Sequence, residues 1–293
     1  MQTLSKSTRH PSASGGRGNP AKVRARLGRV LWHTVLGGFV VVMIFPVVWA
    51  LLTSFKPPNE IYSVAPIAEN PTLENYIYAV TKFPIAQLLG NTLVMALGVA
   101  IGQILIAILA AFALVYYRPR SRGLFTMLLV GALVVPAQTL IIPQFLLTAE
   151  LGWQNTNLGL IVPQLGACAL AVLLLIQHVE SVPESHSNAA RLDGARPHEL
   201  LCHIILPALR PAIGAVFILV FITTWNEYLW PLLVASKLED ATVQIGLKQF
   251  ITAEGNNYGG LLAAAALTSI PILIVYLIAS RRITDAFLSS GVK

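Results

Sequence analysis

The stretch Pro183-Glu184-Ser185-His186-Ser187-Asn188-Ala189-Ala190-Arg191-Leu192-Asp193-Gly194-Ala195, with Leu206-Pro207 after it, decides how this chain is read. It is polar, it carries residues that form a short helix, and it stops at a glycine. Pro183 suits the first turn of a helix, where its missing N–H is no loss. Gly194 suits the position just past the end, because glycine accepts left-handed dihedrals. The spacing predicts a helix to about Leu192. A second helical stretch opens at Pro197, in which Leu200, Leu201, Ile204 and Ile205 repeat at helical spacing. Their apolar face is expected to lie against a bundle, with Pro207 and Pro211 marking the turn into the next apolar segment. An ordinary solvated connection has the same composition, so the stretch gains meaning only from what flanks it.

What flanks it is apolar. The 293 residues are 55% hydrophobic and 11% charged, against about 25% charged in soluble globular domains. Runs of roughly 18 or more apolar residues mark candidate spanning helices. Six are placed at Val30–Thr53, Leu88–Tyr117, Leu124–Leu147, Leu158–Ile176, Ala212–Val234 and Gly259–Ala279. The polar stretch therefore joins spans four and five within a 177–211 loop, held to lipid at both ends.

Residues 1–29 are rich in Ser, Gly and Arg and contain no acidic residue, which predicts a disordered basic tail ahead of a retained first span. With both termini on one side, that side receives 16 of the 20 basic residues, leaving only Lys56, Lys82, Lys237 and Lys248 opposite. Positive charge is retained in the cytoplasm, so both termini and the 177–211 loop are expected there. The basic balance thus reflects topology, and no basic face interleaved with aromatics suggests nucleic acid. Cys168 and Cys202 have neither disulfide nor metal spacing and read as inert thiols.

Within the spans, polar residues and prolines stand out. Gly98 and Gly102 form a small-xxx-small seam continued by Ala107, Ala110 and Ala111, a packing face or a chance pattern. Pro136, Gln138 and Pro143 fall in the third span, and Pro163 with Gln164 in the fourth. Such bends and amides suit a bundle enclosing a polar cavity, or are plain structural kinks. Glu227 is the one acidic residue placed inside a span. Trp225, Asn226, Glu227 and Tyr228 are candidates to line a translocation path; an interfacial aromatic belt is the alternative. Asn91, Gln103 and Gln138 are further candidates for cavity lining, or for bonds between helices. Before the second span, Asn70-Pro71-Thr72 predicts a short helix with Thr72 as N-cap.

Asn188-Ala-Ala-Arg-Leu-Asp-Gly-Ala195, followed by Leu206-Pro207, resembles the Glu-Ala-Ala loop of permease subunits of binding-protein-dependent ABC importers. Asn91-Thr92, Ala110-Ala-Phe-Ala113, Leu151-Gly-Trp-Gln-Asn-Thr156 and Trp225-Asn-Glu-Tyr-Leu-Trp-Pro-Leu232 are similar to blocks of the carbohydrate branch, which includes the maltose-type inner permease and the glycerol-3-phosphate permease. Coverage is about residues 30–290. The resemblance implies an all-α membrane protein with six transmembrane helices, the type I ABC importer permease fold and a cytoplasmic coupling helix. It implies a tail over 1–29, a permease domain over 30–282 and a C-terminal tail over 283–293.

By position, Asn188, Ala189, Ala190, Asp193 and Gly194 would dock into a cytoplasmic ATPase subunit. Asn188 stands where the family has Glu, so a neutral hydrogen bond replaces an ionic one, with Glu184 or Glu199 available to compensate. Expected partners are a homologous second permease subunit, two ATPase subunits, an extracytoplasmic solute-binding protein and the lipid bilayer of a bacterial inner membrane. The chain lacks a G-x-x-x-x-G-K-[ST] phosphate loop, so it is expected to be non-catalytic and without cofactor, ATP and Mg being bound by the ATPase partner. An ion-coupled secondary transporter is the rival reading, and would need a midplane ion site. The solute itself is not legible: the Trp230-Pro231-Leu232 block looks closest to glycerol-3-phosphate permeases, yet few basic residues fall on the external side to clamp a phosphate.

Overall fold

The computed structural model describes the backbone of residues 20–252 and 255–290, and the side chains of residues 28–251 and 255–278. Two compact units divide the chain, residues 1–50 and 51–293. In the first, helix α1 (Pro20–Ser54) starts at a proline and passes Pro46 without ending. Residues 20–29 are therefore helical, which corrects the expected tail over 1–29; residues 1–19 lie outside the described part. Every side chain from Val30 to Val48 is exposed, an apolar surface that water would not tolerate and lipid or another helix would.

The second unit is built on one long helix. The short α2 (Glu74–Thr81) precedes it, and Leu73 stands at its N-cap. Thr72 sits one residue earlier than expected and accepts the Glu74 N–H at 3.1 Å. Asn75 Nδ2 donates to Ser54 O and Lys56 O, both at 2.8 Å, tying α2 to the chain before it. Helix α3 (Ile85–Tyr116) is the axis. Its Ala96, Ala100, Ala107 and Ala111 are fully buried, which lets neighbouring backbones come close where lipid supplies no hydrophobic drive. Gly98 and Gly102 are true contacts rather than chance: a Cβ on either would lie 2.6 Å from Ile161 or 2.5 Å from Leu165.

Spans three and four are bent. Helices α4 (Arg122–Val134) and α5 (Ala137–Glu150) meet at 94°, because Val135 and Pro136 are extended, with ψ of 119° and 128°. Proline removes a donor and biases the residue before it away from helix. Pro143, by contrast, stays inside α5. Helix α6 (Asn157–Ile161) tightens into a 3-10 stretch at Val162–Ala167 and meets α7 (Ala169–Glu180) at 51°. Four long apolar helices plus these two bent pairs give the six expected spans.

Helix α8 (Glu184–Leu192) is the predicted loop helix, and α9 (Pro197–Leu200) the predicted second stretch. Pro207 and Pro211 do not turn the chain, as the sequence had suggested. From Pro197 the helix runs through a π-turn at Leu201–Ile205 into α10 (Leu206–Trp225). The Leu206 N–H reaches back to Leu201 O, a wider turn that lets the helix pass a proline next door. Leu200, Ile205 and Leu209 are buried with Ala171, Val172 and Leu175 of α7 and Ile104 to Leu114 of α3 in the largest core cluster.

The fifth span therefore covers Pro197–Trp225, not Ala212–Val234. Its expected second half is a separate helix, α11 (Leu229–Val234). A 3-10 turn at Leu238–Asp240, helix α12 (Val243–Lys248) and a two-residue hairpin of β1 (Ile251–Thr252) and β2 (Gly255–Asn256) lead to α13 (Tyr258–Ser290). In the hairpin Ile251 faces Asn256 and Thr252 faces Gly255, antiparallel. The expected tail over 283–293 is helical to Ser290, and its last three residues lie outside the described part.

Candidate functional site

The loop helix is closed at both ends by its own sequence. Pro183 is extended (ψ 129°) and starts α8. At the other end Gly194 takes φ +85°, its N–H bonding Arg191 O at 3.1 Å while the Ala195 N–H bonds Ala190 O at 2.9 Å. This paired closure needs a left-handed residue at position 194. Pro197 then opens the next helix, and Glu199 Oε2 accepts the Arg196 N–H at 2.7 Å to cap it.

One side of α8 is fastened to the turn between α3 and α4. Glu184 pairs with Arg118, and Glu180 just before the helix pairs with Arg122. Arg191 lies over the Tyr116 ring at 4.3 Å, its Nε donating to Tyr116 Oη at 3.3 Å. Ala190 packs on the core. Between α8 and the bundle is a hollow of about 280 Å³ reached by Tyr116, Arg118, Glu180, Glu184, Asn188 and Arg191. The opposite side is bare: Ala189 and Asp193 are exposed, and Leu192 is 89% exposed, whereas Asn188 is exposed on the side of the hollow, with Glu184 and Arg191. An apolar knob beside small, flat residues is what a partner's groove would grip. Leu192, Arg118, Arg122 and Tyr116 were not singled out from the sequence. The last three lie 58 to 75 residues from their partners on or beside α8, so only the fold brings them together.

A second feature lies where the bent spans meet α3 and α10. A cavity of about 310 Å³ is lined by Gln103, Gln138, Gln164, Thr223, Thr224 and Glu227, among apolar neighbours that include Trp230. The bends create it. The 3-10 stretch exposes Gln164 O, which Gln103 Nε2 satisfies at 2.7 Å, while Gln164 Nε2 donates to Leu160 O at 2.7 Å. Trp230 Nε1 donates to Gly159 O at 3.1 Å, holding α11 to α6. Amides near these bends thus line part of a cavity whose wall is otherwise largely apolar. Gln164, flagged beside Pro163 but not as a lining residue, belongs with them, and Thr223 and Thr224 were missed.

Glu227 is not inside a helix. It follows the end of α10, and its Oε1 accepts the N–H of Leu229 at 3.1 Å and of Trp230 at 3.4 Å, starting α11. The other residues of its block separate. Trp225 is buried against Phe221, Ala96 and Ala100 and is not among the residues lining this cavity. Asn226 Nδ2 closes α10 on Ile222 O at 2.8 Å. Tyr228 Oη accepts from Lys248 Nζ at 2.8 Å. Asn91 is a tether: its Nδ2 donates to Glu239 O and Ala241 O at 2.7 and 3.0 Å, and its neighbour Thr92 Oγ1 accepts the Val243 N–H at 2.9 Å. Of the seven residues read as pathway candidates, Gln103, Gln138 and Glu227 line the cavity.

Apolar spans bent around a cavity that carries a few polar groups, with an exposed helix fastened between two of them, define a membrane-embedded permease. The chain belongs to the family of binding-protein-dependent transport system inner membrane components, whose model matches residues 103–287. The sn-glycerol-3-phosphate transport system permease protein UgpE of Escherichia coli O1:K1 is 32% identical over 269 residues, covering 88% of this chain and 95% of that protein. The arabinooligosaccharides transport system permease protein AraQ of Halalkalibacterium halodurans is 30% identical over 257 residues, covering 86% and 92%.

Among solved structures, a bacterial ABC transporter involved in the import of the acidic polysaccharide alginate superposes with a TM-score of 0.77 at 21% identity, over 87% of this chain and 96% of that one. The MetNI methionine ABC transporter gives 0.55 at 16% identity, over 72% and 98%. These two carry the fold. The likeness read from residues 188–195 and 225–232 stands: the chain is a permease subunit of a binding-protein-dependent ABC importer.

Proposed function

We propose that this chain forms one half of the path of an ATP-driven importer of polyhydroxylated, carbohydrate-type solutes, and that α8 is the lever gripped by a separate ATPase subunit. The observation that carries the reading is the two-sidedness of α8. One side is fastened to the bundle through Arg118 and Tyr116, with Glu180 at the end of α7 paired to Arg122, while Ala189 and Leu192 face outward with no partner among the described residues. Such a helix transmits a push, because load on its free side passes through the fastened side into α3 and α4. Nucleotide-driven closure of two ATPase subunits would move it as a rigid body and bias the bundle between two states.

The assembly proposed is a second, homologous permease completing the cavity, two ATPase subunits holding ATP and Mg, and an extracytoplasmic binding protein delivering solute. The excess of basic residues puts both termini and α8 in the cytoplasm. The sugar-class solute is carried over from the relatives' names and agrees with an amide- and hydroxyl-lined cavity.

The test is Ala189→Trp in the co-expressed complex. A bulky ring on the flat face should release the ATPase subunits during purification and abolish ATP-dependent uptake into vesicles, while the permease pair still inserts. Retention of ATPase and uptake at the wild-type level, or uptake driven by an ion gradient without ATP, would overturn the reading.

A further inference from the structure

The related permeases are named for solutes of different charge: sn-glycerol 3-phosphate is an anion and an arabino-oligosaccharide is neutral. The cavity at the bends separates these classes. Its polar lining is three carboxamides, two hydroxyls and one carboxyl group; no Lys, Arg or His is among the described residues that form it. A phosphate or uronate clamp is ordinarily built from guanidinium or ammonium groups, and this wall offers none. It offers a negative charge instead.

Glu227 is held rather than swinging. Two backbone N–H groups, from Leu229 and Trp230, fix its Oε1 at the start of α11. Trp230 is itself pinned to Gly159 O. A carboxylate in that position repels a second anion, and more strongly beside a largely apolar wall than in bulk solvent, because the effective dielectric there is lower. Amides and hydroxyls meanwhile match the donor and acceptor pattern of sugar hydroxyls. A site that attracts one class and carries a repulsive group against its competitor is how selectivity is commonly achieved.

We infer that the wall this subunit contributes is a charge filter: Glu227, with Gln103, Gln138 and Gln164, admits neutral polyhydroxylated solutes and rejects phosphorylated or uronic ones. This rests on the importer reading above and narrows its solute class. It places the chain with carriers of neutral saccharides despite its slightly higher identity to glycerol-3-phosphate permeases.

The test is equilibrium dialysis on the purified complex of both permease subunits and the ATPase, without the binding protein, so that the delivered solute is not preselected. The probes are radiolabelled arabinotriose, the same trisaccharide with its terminal unit oxidised to a uronic acid, and sn-glycerol 3-phosphate. The neutral trisaccharide should bind at least about tenfold more tightly than either anion, a difference of about 1.4 kcal/mol. Glu227→Lys should erase that preference. Because Glu227 also caps α11, Thr223→Lys is the second variant: it adds a cation to the same wall and leaves the cap in place.

Equal or tighter binding of the anions by the wild type would overturn the filter, as would a preference that neither variant changes. Binding of none of the three would overturn it too. The importer reading fails by a different result: no ATP-dependent uptake of any solute when the binding protein is restored.

Discussion

Gly159 shows how a single position can set the cavity wall. Its carbonyl accepts the indole N–H of Trp230, and a Cβ there would lie 2.2 Å from Trp153 O. That carbonyl cannot easily retreat: Thr156 Oγ1 donates to it at 2.7 Å, and the Trp153 N–H is bonded to Thr148 O at 3.0 Å. The demand is for space against backbone, which relaxes less readily than a side-chain tip. Gly159→Ala should destabilise the purified chain by about 1–3 kcal/mol, the usual cost of overpacking. Trp230→Phe loses that hydrogen bond, about 1 kcal/mol, and leaves part of the buried indole's volume empty, which adds a cavity cost. Thermal melting in detergent compares Gly159→Ala with the wild type; an alanine variant that melts with or above the wild type would mean the close approach is absent.

At the scale of elements, α8 was legible because proline and glycine bracket it within its own sequence, and both ends came out where the residues put them. The bend at Pro136 was legible for the same reason, whereas the bend at Cys168 lies five residues beyond Pro163, which opens the 3-10 stretch before it. The fifth span was not. Two prolines suggested a turn, but a π-turn absorbs Pro207, and hydrophobicity alone could not reveal that the chain breaks after Trp225 and restarts at Leu229. The cavity was half legible: polar residues inside the spans pointed to Gln103 and Gln138, while Asn91, an amide of the same chemistry, has different neighbours and ties α3 to the segment before α12. The fastening of α8 was invisible, because Arg118, Arg122 and Tyr116 meet their partners only through folding. The Arg118–Glu184 pair is largely exposed (60% and 68%), and such pairs contribute roughly 0.2–1 kcal/mol. Their weight is thus in geometry rather than stability. Arg118→Glu would set two carboxylates side by side and free α8 on its bundle side. ATP hydrolysis by the reconstituted complex should then continue while uptake per ATP falls. Adding Glu184→Arg should restore the ratio; if the double variant stays as uncoupled as the single one, force does not travel through this contact.

At the scale of the whole molecule, the question is where water runs. Helix α5 buries only Thr148, yet Gln138 stands at its start, exposed and on the cavity wall, while Leu140, on the opposite side of the helix, is 49% exposed without lining it. A carboxamide facing lipid would be costly, so Gln138 is expected to face an aqueous path that the second permease closes. This separates two surfaces of one helix by solvent, and cysteine accessibility reads the separation. In a background carrying Cys168→Ala and Cys202→Ala, Gln138→Cys should react with a charged, membrane-impermeant methanethiosulfonate at least about tenfold faster than Leu140→Cys, since a charged reagent is excluded from hydrocarbon. The rate at position 138 should also change when nucleotide traps the ATPase subunits closed, because a path that alternates between two sides is open to a given side in one state only. Equal rates at the two positions, unmoved by nucleotide, would show that the bend at Pro136 turns toward lipid or protein and that the space beside it is no conduit.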